Sequence, residues 1–182
     1  MKTYSPWGAQ PLRQTANDNK PQIIGLAGAA GSGKSTAADY LVARHGFTRV
    51  KFAGPLKDMC RAIGMTEAQI EGDEKETPAD ILQGKTPRQF MQALGTEFGR
   101  DCIGPDFWLG LWRERVGRYN RIVADDVRFD NEAAAIREAG GKVVRLAGRG
   151  GISGGHASER QDFAADVELA NDNTKAALYS SL

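Results

Sequence analysis

The chain has 182 residues, of which 41% are hydrophobic and 26% are charged, and its net charge is +1. This length predicts one domain with a substantial core, and the balanced charge argues against the overall basic field typical of nucleic-acid-binding proteins. No stretch approaches the roughly 20 apolar residues of a membrane span. The two separated cysteines, Cys60 and Cys102, match no metal-binding spacing. We therefore expect a reduced, cytoplasmic setting, with neither nucleic acid nor membrane as a partner.

The first predicted elements surround a glycine-rich loop. Residues 1–21 are polar, and we expect them to form a flexible N-terminal tail. The apolar run at residues 23–27 predicts a buried parallel strand. It leads into residues 28–35, which fit the pattern G-x-x-x-x-G-K-[ST]. The next residues predict a helix whose apolar face carries Ala37, Ala38, Leu41 and Val42.

Each fixed position of the glycine-rich loop has a physical reason. Its glycines allow tight turns that direct successive backbone N–H groups toward an anion. Lys34 can reach the β- and γ-phosphates of a nucleotide, and the Ser35 hydroxyl can ligate Mg²⁺. The positive end of the following helix points at the same phosphates. We therefore expect ATP to bind the loop residues Gly28, Ala29, Ala30, Gly31, Ser32, Gly33, Lys34, Ser35 and Thr36.

The chain then predicts a strand, a helix and an irregular segment. Residues 47–53 are typical of a second strand, and Pro55 fits the first turn of a helix that ends near Gly64. Residues 65–85 are acidic and irregular, which indicates an insertion on the surface of the domain.

A further helix begins at Pro87, with Thr86 as its predicted N-cap. Three residues spaced about one turn apart form its expected apolar face, namely Phe90, Leu94 and Phe98. Arg88 lies on this helix, and a guanidinium is a preferred ligand for phosphate. Gln92, one turn later, could bond the edge of a base. The alternative is that both polar residues belong to a solvated helix face.

Gly104 and Pro105 end that helix, and Asp106 is predicted to cap the next one. The new helix carries several large apolar side chains, Phe107, Trp108, Leu111 and Trp112. Trp108 could stack on a base, but a tryptophan on an apolar helix face more often belongs to the core. Both interpretations of Trp108 stay open at this stage.

A third buried strand is predicted at residues 122–124, and Asp125 and Asp126 follow it. Ligands collect at the carboxyl edge of a parallel sheet, where a carboxylate can hold Mg²⁺ directly or through water. Asp126 and Arg128 face the same side of extended backbone, and Glu132 comes from the start of the next helix. These three residues could frame a phosphate and a sugar hydroxyl. The alternatives are a turn for the two aspartates and a local salt bridge for the last three residues.

The last third of the chain alternates helices with strands. Residues 130–139 predict a helix, residues 142–146 a fourth strand, and residues 167–169 a short last strand before a terminal helix. This alternation predicts a mostly parallel α/β sheet.

Residues 148–161 have the Gly, Ser and Arg composition of a mobile flap. Arginines on such a flap can close over transferring phosphates and exclude water. We expect Arg149 to neutralise charge on the migrating group. His156 is interpreted as a hydrogen-bonding cap rather than as a base.

Seven segments, taken in order, match a known family, and they are residues 28–36, 51–57, 86–89, 94–97, 105–108, 125–132 and 156–159. Many families share the glycine-rich loop, but Thr-Pro-Arg-Gln, Gly-Thr-Glu and Asp-Val-Arg-Phe in this order are more specific. On these segments the chain resembles the phage-type deoxynucleoside monophosphate kinases, which belong to the P-loop nucleotide-kinase superfamily.

The resemblance implies an α/β P-loop nucleotide-kinase fold over residues 22–182, with a mostly parallel five-stranded sheet flanked by helices. It implies a helical substrate-binding region at about residues 54–118 and a short lid at about residues 148–165. The implied activity is transfer of the ATP γ-phosphoryl group, with Mg²⁺, to a deoxynucleoside monophosphate, which gives the diphosphate. The family also suggests a homodimer, and the helices around Phe98 and Trp112 could supply an apolar surface for it. A phage-encoded protein would act in the host cytoplasm.

The predicted mechanism is positioning plus electrostatics. Lys34, Asp126, Arg128 and Arg149 are the predicted catalytic residues, and Ser35 and Asp126 are the predicted metal ligands. No general base is needed, because the acceptor phosphate is already an anion. The residues predicted to bind the acceptor are Lys51, Phe52, Arg88, Gln92, Trp108, Arg128 and Glu132.

Two other classes of function remain as alternatives. The first is another small P-loop kinase, such as a dephospho-CoA kinase or a kinase that acts on a metabolite hydroxyl, for which Asp126 could serve as the base. The second is a protein without kinase activity, either a nucleotide-binding switch or an ATP-driven nucleic-acid motor. A GTPase of that class would need an N-K-x-D segment to recognise guanine, and the sequence contains none.

Overall fold

The computed structural model describes residues 22–148, 150 and 161–182. These residues form one five-stranded parallel sheet with the strand order β2-β3-β1-β4-β5. Its strands are β1 Gln22–Ala27, β2 Thr48–Arg49, β3 Arg121–Ala124, β4 Lys142–Ala147 and β5 Val167–Ala170. The predicted α/β class and the predicted parallel sheet are confirmed. The predicted tail at residues 1–21 lies outside the described residues.

The helices alternate with the strands, as the sequence predicts. They are α1 Lys34–His45, α2 Gly54–Ala62, α3 Glu67–Ile70, α4 Pro87–Ala93, α5 Phe107–Val116, α6 Asp130–Glu138 and α7 Lys175–Ser180. Short 3₁₀ turns lie at Asp73–Glu76 and Asp80–Leu82, and a π-helical segment, Leu94–Ile103, continues α4. Thr86 caps α4 as predicted, because its side chain accepts a hydrogen bond from the backbone of Gln89.

Alternate residues of β1 build two cores, one on each face of the sheet. Ile23 and Ala27 pack toward α5 and α6, where Trp112 is 1% exposed and donates a hydrogen bond from Nε1 to the carbonyl oxygen of Val50 at 3.0 Å. Leu26 packs on the opposite face, toward α1 and α7. This is the period-2 alternation of a strand that is buried on both sides.

A third apolar cluster includes residues from the stretch 65–85, and the prediction that this stretch is a mere surface insertion is wrong. Four of its residues are buried, namely Met65, Ile70, Ala79 and Leu82. They pack with Leu56, Cys60 and Trp108. Because the segment folds into a short helix and 3₁₀ turns, its apolar residues follow no single period that would have indicated burial.

Several local expectations need correction. The second strand is shorter than predicted, because only Thr48 and Arg49 pair with β3. Val42 is 40% exposed, since the face of α1 that meets the sheet is narrow. Phe98 is 44% exposed, because the π-helical segment changes the period that placed it on the apolar face. Asp106 makes no capping hydrogen bond with its side chain, which accepts a bond from Asn131 Nδ2 instead.

Trp112 is also too deeply buried to form the apolar surface expected for a homodimer. Among the exposed large apolar residues of the described chain, Phe98 and Ile103 lie in the π-helical segment. The homodimer itself stays a prediction. In the part of the chain that the structure describes, no helix is both long and apolar enough to span a membrane.

Gly99→Ala tests the packing of the third cluster. A β-carbon at position 99 would lie 2.3 Å from Trp108 Nε1 and 2.5 Å from Cε2. The indole ring is rigid, and its Nε1 donates to the Gly95 carbonyl oxygen at 2.7 Å. Moving the ring away from a new β-carbon would therefore break this hydrogen bond. We expect the free energy of unfolding, measured with urea, to fall by about 1–3 kcal/mol.

Gly110→Ala is the matched control, because Gly110 lies in the middle of α5 and a β-carbon there meets no atom within 4 Å. This substitution should raise the free energy of unfolding by about 0.5–1 kcal/mol, the gain in helix propensity. Equal effects of the two substitutions would contradict the account of the packing.

Candidate active site

The glycine-rich loop follows β1, and α1 begins directly after it at Lys34. Gly28, Gly31 and Gly33 have φ angles of 134°, 79° and 98°, values that residues with a β-carbon rarely adopt. At Gly33 a β-carbon would in addition come within 2.3 Å of Asn171 Nδ2. The glycines are therefore required by a fixed backbone, and the loop is not a flexible linker.

Two amide side chains that flank β5 in the sequence form hydrogen bonds with the loop. Asn171 Nδ2 donates to the carbonyl oxygen of Ser32 at 2.8 Å. Gln161 Oε1 accepts from the backbone N–H of Gly28 at 2.8 Å, and its Nε2 donates to the carbonyl oxygen of the same residue at 2.9 Å. Sequence reasoning missed both residues, because nothing local in the sequence links them to a loop more than 130 residues away.

The loop has the features that a triphosphate needs. The Ser32 hydroxyl is buried, and no described residue forms a hydrogen bond with it. Lys34 Nζ donates to the carbonyl oxygens of Gly28 and Ala29, at 2.6 and 2.7 Å. The N-terminus of α1 directly follows the loop and favours a bound anion. Together with the Ser32 hydroxyl and the Lys34 ammonium group, it fits the phosphates of a nucleotide.

Most of the predicted flap lies outside the described residues, because Arg149 and residues 151–160 are not among them. Gly150 is described, and it lies directly against the loop. A β-carbon there would come within 2.1 Å of the Ala30 carbonyl oxygen.

The two aspartates after β3 have different surroundings. Both carboxylate oxygens of Asp126 accept backbone hydrogen bonds, from Phe52 N at 3.0 Å and from Ala53 N at 2.9 Å. Burial raises the pKa of Asp126, although these donors act against the rise. The carboxylate of Asp126 therefore holds the chain between β2 and α2 in place.

Asp125 is 2% exposed at its side chain, and its Oδ2 lies 3.6 Å from Arg49 Nε. Its Oδ1 is 4.0 Å from Lys51 Nζ and forms no hydrogen bond within the described residues. Arg49 also donates to the carbonyl oxygen of Ser35 at 3.1 Å, so this arginine connects Asp125 to the start of α1. An aspartate oxygen that forms no hydrogen bond, on a carboxylate paired with an arginine that also contacts Ser35, fits a Mg²⁺ site that is completed by nucleotide phosphates.

Such a site does not require a cluster of protein ligands. Within residues 22–148, 150 and 161–182, no group of three or more His, Cys, Asp or Glu residues could hold a metal ion. Mg²⁺ in nucleotide sites commonly takes one or two protein oxygens, with water and phosphates as the other ligands.

A cavity of about 180 Å³ opens beside Asp126. Six of the seven residues predicted to bind the acceptor line it, namely Phe52, Arg88, Gln92, Trp108, Arg128 and Glu132. Three further cationic residues, which sequence reasoning missed, line it too, namely Lys57, Lys75 and Arg100. The seventh predicted residue, Lys51, lines a neighbouring groove that also contains Ser35 and shares Lys57 with the cavity. Lys57 thus lies between the start of α1 and the cavity.

Trp108 forms part of the cavity wall from within the core. It is 4% exposed, and its Nε1 is occupied by the carbonyl oxygen of Gly95. Its ring packs in the third cluster, against the backbone of Gly99. The structure thus favours the core interpretation, with only part of the ring turned to the cavity.

Arg100 and Glu132 form a buried ion pair, with Nη2 and Oε1 2.5 Å apart. The other oxygen of Glu132 accepts from the backbone N–H groups of Arg128 at 2.8 Å and Phe129 at 3.2 Å. The Arg100 guanidinium also lies 3.5 Å from the centre of the Phe129 ring. Burial raises the pKa of Glu132 to about 7, while its donors act against the rise.

Arg100 therefore connects the π-helical segment to the loop that carries Arg128. The sequence contains no signal for this residue, because its place depends on the π-helical period. Glu132, predicted as a ligand, uses both carboxylate oxygens within the protein.

No family model matches the chain. Among curated proteins it is similar to a mimivirus protein (Acanthamoeba polyphaga mimivirus) named "Putative deoxynucleotide monophosphate kinase", with 36% identity over 181 residues, 88% of this chain and 93% of that protein. It is also 36% identical over 55 residues to the deoxynucleoside-5'-monophosphate kinase of Escherichia phage T5, which covers 29% of this chain and 22% of that protein.

Among solved structures, a mutant of the Mycobacterium tuberculosis APS kinase CysC is similar, with a TM-score of 0.47 and 10% sequence identity over 89% of this chain and 94% of that one. The mimivirus protein matches over most of both sequences, and this likeness identifies the family. The chain belongs to the deoxynucleotide monophosphate kinases, which are phosphotransferases.

Proposed function

We propose that this protein transfers the γ-phosphoryl group of ATP, with Mg²⁺, to a deoxynucleoside monophosphate and releases the diphosphate. The observation that carries the proposal is that two features suited to binding anions lie at one edge of the sheet. One is the glycine-rich loop after β1, and the other is the cation-lined cavity after β3. A phosphoryl donor and a phosphate acceptor need two such sites side by side.

The loop residues 28–36 would bind the triphosphate through their backbone N–H groups, and the ammonium of Lys34 would exchange its two carbonyl partners for phosphate oxygens. Mg²⁺, when bound, neutralises charge on the β- and γ-phosphates. We propose Ser35 and Asp125 as its protein ligands. Asp126 was the expected ligand, but both of its oxygens already accept backbone hydrogen bonds. Arg149 remains the proposed lid residue.

In the acceptor site, Arg88, Arg128 and Lys57 would hold the monophosphate by charge-assisted hydrogen bonds. Gln92 and the aromatic wall around Phe52 would hold the nucleoside. The Arg100–Glu132 pair would act through the backbone of Arg128, by fixing the loop that carries it. The reaction then proceeds by positioning and charge neutralisation, without a general base.

A panel of acceptors tests the proposal. The common deoxy- and ribonucleoside monophosphates would each be mixed with ATP and Mg²⁺, together with dephospho-CoA and other hydroxyl acceptors, and ADP release would be measured. We expect turnover with at least one deoxynucleoside monophosphate. Turnover with hydroxyl acceptors alone would instead favour the other class of small kinase.

Lys34→Ala should lower kcat by about 10²–10³-fold, because it removes a cation that stabilises developing charge on the phosphates. Lys175→Ala, at an exposed position in α7, is the control and should leave kcat unchanged. Steady-state kinetics with saturating ATP would measure both. A Lys34→Ala enzyme with the kcat of the wild type would contradict the assignment of the donor site.

Arg88→Met should raise KM for the deoxynucleoside monophosphate about 10- to 100-fold, the cost of one charge-assisted hydrogen bond, and leave KM for ATP unchanged. The control is Arg113→Met on α5, because Arg113 is an exposed arginine whose ion pair with Glu138 lies outside the cavity. If Arg88→Met raised KM for ATP instead, the result would contradict the assignment of Arg88 to the acceptor site.

Glu132 predicts a pH dependence of stability. Its pKa is raised from 4.5 to about 7 by burial, so the folded protein binds this proton more tightly than the unfolded chain does. The resulting stabilisation is complete below pH 4.5 and is lost as the pH rises through 7. Relative to Glu132→Gln, the wild type should therefore lose about 3 kcal/mol of unfolding free energy over that range.

Urea unfolding at several pH values would measure this difference. Glu138→Gln, at an exposed position of the same helix, is the control and should show the pH dependence of the wild type. Parallel curves for the wild type and Glu132→Gln would contradict the assignment.

A further inference from the structure

The acidic segment, residues 71–76, lies at the rim of the acceptor cavity. Ile70, immediately before it, is fully buried and lines the cavity, and Lys75 within it lines the cavity as well. The segment carries four carboxylates, Glu71, Asp73, Glu74 and Glu76. Two of them contact cations of the acceptor site and its neighbouring groove.

Glu71 is bound by two lysines. Its Oε1 accepts hydrogen bonds from Lys57 Nζ at 2.7 Å and from Lys51 Nζ at 3.0 Å. Burial acts to raise the pKa of Glu71, but the two lysines outweigh it and lower this pKa to about 2. Glu71 therefore carries its charge throughout the physiological pH range.

Glu76 is bound by Arg88, whose Nε donates to its Oε1. The side chains are 63% and 31% exposed, respectively. Arg88 lines the cavity, so a carboxylate of the acidic segment holds one N–H group of a residue that forms the cavity wall. Lys57 and Arg88 both have carboxylate partners from the same short segment.

A carboxylate and a phosphate compete for the same N–H donors, since both accept charge-assisted hydrogen bonds through anionic oxygens. An ion pair as exposed as Glu76–Arg88 is worth only about 0–1 kcal/mol. A phosphate dianion that contacts several cations at once would gain more than this and would displace the carboxylate. The cost of the displacement would nevertheless subtract from the binding of the acceptor.

We propose that Glu71 and Glu76 set the affinity of the enzyme for its acceptor, because they occupy Lys57 and Arg88 until the acceptor phosphate displaces them. This inference rests on the proposed function of the cavity and extends that function to the acidic segment. Removal of a competing carboxylate lowers KM for the acceptor and leaves kcat unchanged, since neither glutamate contacts the reacting phosphates.

Glu76→Gln is the first test, because the position is exposed and the substitution preserves shape. KM for dAMP, dGMP, dCMP and dTMP, each titrated separately, should fall about two- to fivefold for every one that is a substrate, the fold-change that corresponds to at most about 1 kcal/mol. The dissociation constant of the same nucleotide, measured by calorimetry without ATP, should fall by the same factor.

Glu74→Gln is the matched control. Glu74 lies in the same 3₁₀ turn and is exposed, and it makes no ion pair among the described residues, so its KM should equal that of the wild type. In an Arg88→Met background, Glu76→Gln should have no further effect on KM, because the contested donor is gone. Glu76→Ala is a second variant with the same expected direction.

The outcomes separate the inference from the proposed function. A wild-type enzyme that phosphorylates a deoxynucleotide, with KM unchanged or raised in Glu76→Gln and Glu76→Ala, overturns the inference alone. Equal decreases in Glu74→Gln and Glu76→Gln overturn it too, because a general charge effect would then suffice. A wild type that is inactive with all four deoxynucleotides overturns the proposed function itself.

Discussion

The site depends on the pairing of β1 with β3 in parallel and in register. Gln22 lies opposite Arg121 and Gly25 opposite Ala124, so both strands end at the same edge. The backbone N–H of Val127 then bonds the Leu26 carbonyl oxygen at 3.3 Å, which ties the segment after β3 to the end of β1. Because of this geometry, the segments that follow β1 and β3, almost 100 positions apart in the chain, lie side by side at one edge of the sheet.

The buried carboxylates near that edge of the sheet are paired with cations or backbone N–H groups. Buried carboxylates are costly unless hydrogen bonds or cations compensate them. Asp126 is compensated by backbone N–H groups, Glu132 by Arg100 and backbone, and Asp125 only partly, by Arg49 and Lys51. Two cations of the cavity, Lys57 and Arg88, are compensated in turn by the acidic segment. Three buried side-chain atoms form no hydrogen bond within the described residues, namely Asp125 Oδ1, the Ser32 hydroxyl and Arg49 Nε. In the proposed complex, a nucleotide and its metal would supply partners for the first two.

Sequence reasoning succeeded where the signal is local. The glycine-rich loop and the Thr86 cap depend on residues within a few positions of each other, and the strands follow from short apolar runs. It failed where distant parts of the chain decide. Gln161 contacts Gly28 across more than 130 residues, and Arg100 reaches Glu132 from a π-helical segment whose period differs from that of an α-helix. The backbone N–H groups of Phe52 and Ala53 that bond Asp126 likewise come from a segment more than 70 residues away.

The most direct test of the account is a crystal structure with an adenosine and the best deoxynucleoside acceptor joined by five phosphates. The account predicts that one end of the phosphate chain contacts the backbone of residues 28–35 while the other end lies within hydrogen-bond distance of Arg88 and Arg128. It also predicts that Glu76 has left Arg88. A phosphate chain that contacts the loop but leaves the cavity empty would contradict the central claim that these two sites hold donor and acceptor together.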